Sequence, residues 1–155
     1  MRDITKKFLK RYLSEPVPEQ PNARFDRIQI ATCVILLEIA QTDDEMSDAE
    51  RKIIKIILER DFDLPEDAAV ELMAIARASR EESVGLHEYT RLICEHYSRE
   101  ERKRVMESLW KVIYADQGLN QHEDYLIHRL AKLLRLDHDE MIEAKLRVLH
   151  GATGE

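Results

Sequence analysis

Two stretches of this chain are built alike, and that duplication limits its fold more than any other feature. Residues 40–50 read AQTDDEMSDAE and residues 113–123 read IYADQGLNQHE. Each follows a strongly apolar run with helical periodicity, carries an Asp where that run ends (Asp43, Asp116), and crosses a short turn. Each then opens a new helix on Ser47 or Asn120, with Glu50 or Glu123 three residues later. Met46 pairs with Leu119 and Ile54 with Ile127 in the same alignment. A helix with one apolar stripe must bury it against a neighbour. Two such units in one chain are therefore expected to pack on each other about a pseudo-two-fold axis, with the two acidic turns brought together.

The remainder of the sequence is all helix in character. Its 155 residues suffice for one domain with a substantial core. Gly and Pro number four each, and no β-branched or aromatic run alternates with period two. The expected fold is all-α, a single compact bundle of about seven to eight helices. The formal net charge of −7 argues against a nucleic-acid surface, which needs a basic face to neutralise phosphates. Cys33 and Cys94 lie within helical runs without metal-ligand spacing and read as reduced thiols in the cytoplasm. The run Ile30 to Leu37 is too short to span a bilayer, and no secretory signal is read at the N-terminus.

Taken in order, residues 1–13 read as a basic amphipathic helix. Ile4, Phe8, Leu9, Tyr12 and Leu13 share one side, opposite Arg2, Lys6, Lys7, Lys10 and Arg11. Such a segment suits peripheral contact with an anionic membrane, or docking on its own domain. Residues 14–23 hold three of the four prolines and read as a semi-rigid linker. The domain then occupies residues 24–150. Its first helix, about Asp26 to Thr42, is apolar on nearly every side and so belongs at the centre. Helices follow from Ser47 to Arg60, from Pro65 to a stop before the polar residues 79–83, from Leu86 to Tyr97, and from the Ser98–Glu101 box. The last two run from Asn120 to Leu134 and from the Asp137–Glu140 start onward, the final one packing through Met141, Ile142, Leu146 and Leu149. Residues 151–155 read as a disordered tail.

The repeated turn admits two readings. As a capping box, Ser47 accepts from the Glu50 amide while the Glu50 carboxylate accepts from the Ser47 amide; Asn120 and Glu123 resemble it. That leaves Asp43 and Asp116 unexplained, because each stands at a helix C-terminus, where the macrodipole disfavours a negative charge. Asp44, Glu45 and Asp48 add further carboxylates to the first turn. Oxygen-only donors of this kind suit hard cations, Ca²⁺ or Mg²⁺. The spacing is not that of an EF-hand, since Asp48 stands at the glycine position and Ile54 at the final glutamate position. No Glu-x-x-His, zinc-ligand or phosphate-loop pattern occurs, and no nucleophile–base pairing is visible, so the chain does not read as an enzyme.

From about Arg24 to Leu149, the order of apolar helix, Asp-bearing turn and x-x-Glu helix start resembles the TerB-like family. Its domain occurs in tellurite-resistance proteins and at the N-terminus of a membrane co-chaperone. The family usually carries Gly after the Asp, where this chain has Asp44 and Gln117. The resemblance implies an all-helical fold with duplicated halves, an acidic surface that binds metal, and a stress-response role in the cytoplasm at the inner face of the membrane. The resulting expectation is a non-catalytic domain binding a divalent cation. Asp43, Glu50, Asp116 and Glu123 would be its ligands, assisted by Asp44, Glu45 and Asp48. The alternative is a metal-free interaction module whose acidic surface recruits a basic protein partner.

Overall fold

The structure is a computed structural model that describes residues 25–40, 47–82, 85–115 and 121–154. The basic segment 1–13, the linker and the turn residues Asp43, Asp44, Glu45 and Asp116 lie outside this set. Among the described residues there are seven helices and no strand: α1 (Arg27–Ala40), α2 (Asp48–Asp61), α3 (Glu66–Glu82), α4 (His87–His96), α5 (Arg99–Ala115), α6 (Gln121–Leu133) and α7 (His138–Gly154). The all-α bundle expected from the sequence is what the chain forms.

Helix α1 is the hub. Every residue from Ile30 to Leu37 is buried, together with Ile39 and Ala40. Helices α3, α4 and α5 pack along it and α2 and α6 touch it, so an all-round apolar sequence finds cover on all sides. Its start is fixed locally. The Gln29 amide donates to Asp26 Oδ1 (2.8 Å) and the Asp26 amide donates to Gln29 Oε1 (2.9 Å), a reciprocal box not anticipated from sequence. The charged side chain in its second half, Glu38, is half-buried and accepts from Arg80 Nε of α3 at 2.7 Å.

That pair also bears on where α3 ends. The polar residues from Ser79 read as a stop, yet the helix continues to Glu82. Ser79 is buried and its carbonyl accepts from Tyr89 Oη of α4 at 3.1 Å. Tertiary partners thus take up polar groups that look like a helix end in isolation.

The order helix, turn, helix, short joint, helix occurs in α1–α3 and again in α5–α7. In each unit the first helix packs along the third. Both joints use one local device. After α2, the Phe62 amide donates to the Leu58 carbonyl and the Leu64 amide reaches Glu59; after α6, the Arg135 amide reaches Lys132 and the Leu136 amide reaches Ala131. These are Schellman-type endings, and the residue in the left-handed region is Asp63 (φ 52°) in one and Arg135 (φ 61°) in the other. Glycine is the usual occupant, so the composition gives little warning of either.

Helix α7 is held on α5 by Trp110, whose Nε1–H donates to the Met141 carbonyl at 3.0 Å. Its buried face differs from the one expected. Met141 and Ala144 are buried and Ile142 and Val148 pack against the core, whereas Leu146 is 45% exposed. Helix α7 runs on to Gly154, with Gly151 in helical backbone.

The start of α7 carries an ion-pair network. The Asp137 amide donates to Glu140 Oε1 (2.9 Å), and Arg99 grips both carboxylate oxygens at 2.5 and 2.6 Å. The Arg99 bonds first, and the Asp137 amide second, hold the Glu140 carboxyl below its ordinary range. A folded-state pKa below the unfolded one adds stability that is present above the unfolded value, about 4.3, and is lost as pH falls through the folded value. Glu140→Gln is therefore expected to melt below wild type at pH 7, with the gap closing at pH 3. An equal gap at both pH values would show that the loss comes from packing and not from charge.

Candidate functional site

The first acidic segment follows the buried end of α1 and the second follows the half-buried end of α5; the described half of each lies in the helix start that comes next. Asp48, on the first turn of α2, is fully exposed and lies 3.7 Å from Arg51. Ser47 caps the helix. The Glu50 amide donates to Ser47 Oγ at 3.1 Å and the Ser47 amide donates to Glu50 Oε1 at 2.9 Å, which is the reciprocal box expected from sequence. Matching boxes open α5 (Ser98 with Glu101) and α7 (Asp137 with Glu140). The side chain of Glu101 is exposed and that of Glu140 half-buried, whereas Glu50 is only 5% exposed.

Glu123 shares that burial, at 4%. Among the described residues Glu50 and Glu123 are the two buried acidic side chains. They are matched positions of the duplicated turn, each at the third residue of its helix. A signal for this was present in the sequence. Each Glu stands four residues before a core isoleucine, Ile54 or Ile127, and positions i and i+4 share a helix face. Capping alone needs no burial, as Glu101 demonstrates.

The donor chemistry fits a hard cation. A carboxylate offers four lone-pair positions over two oxygens. The box engages Oε1 of Glu50, so ligation through Oε2 is compatible with it. Among the described residues, no group of three or more His, Cys, Asp or Glu side chains is set to hold a metal. Of the expected ligands, Glu50, Glu123 and Asp48 are among the described residues, and Asp43, Asp44, Glu45 and Asp116 lie outside them.

Other sequence candidates resolve as core or surface. Trp110 is buried and stacks on half-buried Tyr114 with ring centroids 5.9 Å apart, as expected of packing residues. Cys33 is a buried free thiol, and burial pushes its pKa up. Cys94 is half-buried and donates from Sγ to the Leu133 carbonyl at 3.4 Å. His128 and His138 stack on each other at the surface, with centroids 6.1 Å apart, a pairing with no sequence signal. Among the described residues no helix is long and apolar enough to cross a membrane.

Seven helices and no strand among the described residues, with a buried glutamate in the first turn of both α2 and α6, define a class of small helical domain. The chain belongs to the family described as tellurite resistance protein TerB, whose model matches residues 29–146. That span runs from Gln29 in α1 to the middle of α7 and includes both acidic segments. Comparison with curated proteins gives no match, and neither does comparison with solved structures.

Proposed function

We propose that this TerB-like domain is a non-catalytic binding module that takes up a divalent cation, Ca²⁺ or Mg²⁺, through its duplicated acidic turns, in a tellurite-type stress response. The observation that carries the reading is the burial of Glu50 and Glu123 at matched positions one turn beyond the acidic segments. An ionised carboxylate is costly to bury without compensation, and a divalent cation would add to what the helix starts already supply, such as the Ser47 amide at Glu50. The ligand set is Asp43, Glu50, Asp116 and Glu123, with Asp44, Glu45 and Asp48 assisting. The reading takes the two halves as related by a pseudo-two-fold axis, which puts both turns on one surface.

The test separates ligation from capping. Glu50 and Glu123 serve both, but Asp43 and Asp116 serve no box. In metal-stripped protein, Asp43→Asn with Asp116→Asn should be neutral or slightly stabilising, by about 0.3–1 kcal/mol per site, since each removes a charge from an unfavourable helix end. Added cation should stabilise wild type by about 2.7 kcal/mol at a hundredfold excess over Kd. The double variant should lose most of that gain, while Ser47→Ala should cost about 1 kcal/mol with or without metal. Calorimetric titration and melting curves read all of these. Absence of both binding heat and a melting shift with Ca²⁺ and Mg²⁺ would leave the turns as a metal-free acidic surface for a basic partner.

A further inference from the structure

At the opposite end of α6 from the second acidic turn, about 18 Å along a thirteen-residue helix, the surface changes sign. A depression of about 580 Å³ lies between the start of α4 and the end of α6 and carries Arg91, Lys132 and Arg135 against a single acid, Glu88. The chain as a whole has 24 Lys and Arg against 31 Asp and Glu, so this local balance reverses the average. Half-buried Leu133 and buried Thr90 line the same depression. From these side chains we propose that it is a docking site for an acidic peptide segment of a partner protein.

Three observations support it. Many of the bases elsewhere are matched to acids: Arg80 with Glu38, Arg99 with Glu140, Arg147 with Glu107 and Glu143, Lys55 with Glu66. Among the described residues Arg91, Lys132 and Arg135 make no such pair; the same is true of Lys52, Arg60 and Arg104, but the first three line one depression. Secondly, Arg135 occupies a left-handed position (φ 61°) where a side chain is a burden. The need for a cation at that helix end is met by Arg102, whose Nη1 donates to the Leu134 carbonyl at 2.8 Å; the exposed Arg135 head is left for another role. Thirdly, α4 begins at Leu86 without a side-chain cap, and its positive pole offsets the negative pole at the end of α6, leaving the three cations to set the sign. A concave site floored by Thr90 and Leu133 suits a narrow chain better than a flat bilayer.

The probe is a fluorescein-labelled hexaglutamate peptide, followed by anisotropy on the full chain with EDTA present, so that the outcome does not depend on the cation reading above. Saturable binding that weakens between 50 and 200 mM salt is expected, with peptide-induced amide shifts confined to residues 87–91 and 132–135. Arg91→Glu with Lys132→Glu should weaken binding at least about tenfold, as loss of charge-assisted bonds requires. Arg135→Asn, which tolerates the same backbone, should weaken it less. Lys52→Glu with Arg104→Glu, the same charge change elsewhere, should leave it intact. Equal loss in both double variants would overturn the proposal, as would absence of saturable binding. So would association with phosphatidylserine vesicles that is tighter than with the peptide and is lost in Arg91→Glu with Lys132→Glu, or a concentration-dependent oligomer abolished by Asp43→Asn, which would make the occupant a membrane or a second copy.

Discussion

Replacing Trp110 by Ala is expected to lower the unfolding free energy by about 3–5 kcal/mol. The ring is 1% exposed, stacks on Tyr114 and lies 5.5 Å from Lys145 Nζ, while its Nε1–H reaches the Met141 carbonyl of α7. Truncation opens a void where α5 and α7 meet and removes a bond between them. At about 2–4 °C per kcal/mol for a domain of this size, the melting point should fall by about 6–20 °C. Trp110→Phe keeps most of the volume and loses the bond, so about 1 kcal/mol is expected for it. Circular dichroism at 222 nm follows both, since Trp110 is the chain's one tryptophan. A loss below 1 kcal/mol for Trp110→Ala would mean that α7 is not held through this ring.

The second large effect is in the hub. Leu36, on α1, is fully enclosed, whereas Leu146, on α7, is 45% exposed. Leu36→Ala should cost about 2–5 kcal/mol, because the enclosing helices cannot collapse into the space left. Leu146→Ala should stay within about 0.5 kcal/mol of wild type. Denaturant titration followed by Trp110 fluorescence gives both values on one scale. Comparable losses at the two positions would restore Leu146 to the core and contradict the described packing of α7.

That comparison shows where periodicity reads true. Helix α1 was legible because it is apolar on every side, which leaves no choice of face. The duplicated unit was legible because Ser47, Glu50 and Ile54 recur as Asn120, Glu123 and Ile127 at one spacing. On α7, Leu146 fits the stripe containing Ile142 as well as Ala144 and Val148 fit theirs. The choice between them is made by what α5 presents, a matter of tertiary contact. The end of α3 was misread for a related reason, since Ser79 and Arg80 have their partners on other helices. The joints at Asp63 and Arg135 escaped because an aspartate and an arginine stand where glycine would have announced the turn.

At the candidate site, the donor types and their duplication could be read directly, because acid clustering at a helix end runs against the macrodipole. The burial of Glu50 and Glu123 was implicit in their spacing from Ile54 and Ile127. The cationic depression was not visible at all. Arg91 and Arg135 are 44 positions apart, and only the packing of α4 against α6 makes them neighbours.

The enclosure of α1 has a mechanical consequence. A helix with no free face cannot unravel by itself, because local opening needs an element whose contacts can be released separately. The first acidic turn departs from the C-terminal end of this helix at Ala40 and arrives at α2, whose outer side is open to solvent. Of the two helices that flank this segment, α2 is therefore expected to open first in hydrogen exchange, and α1 only with the whole domain.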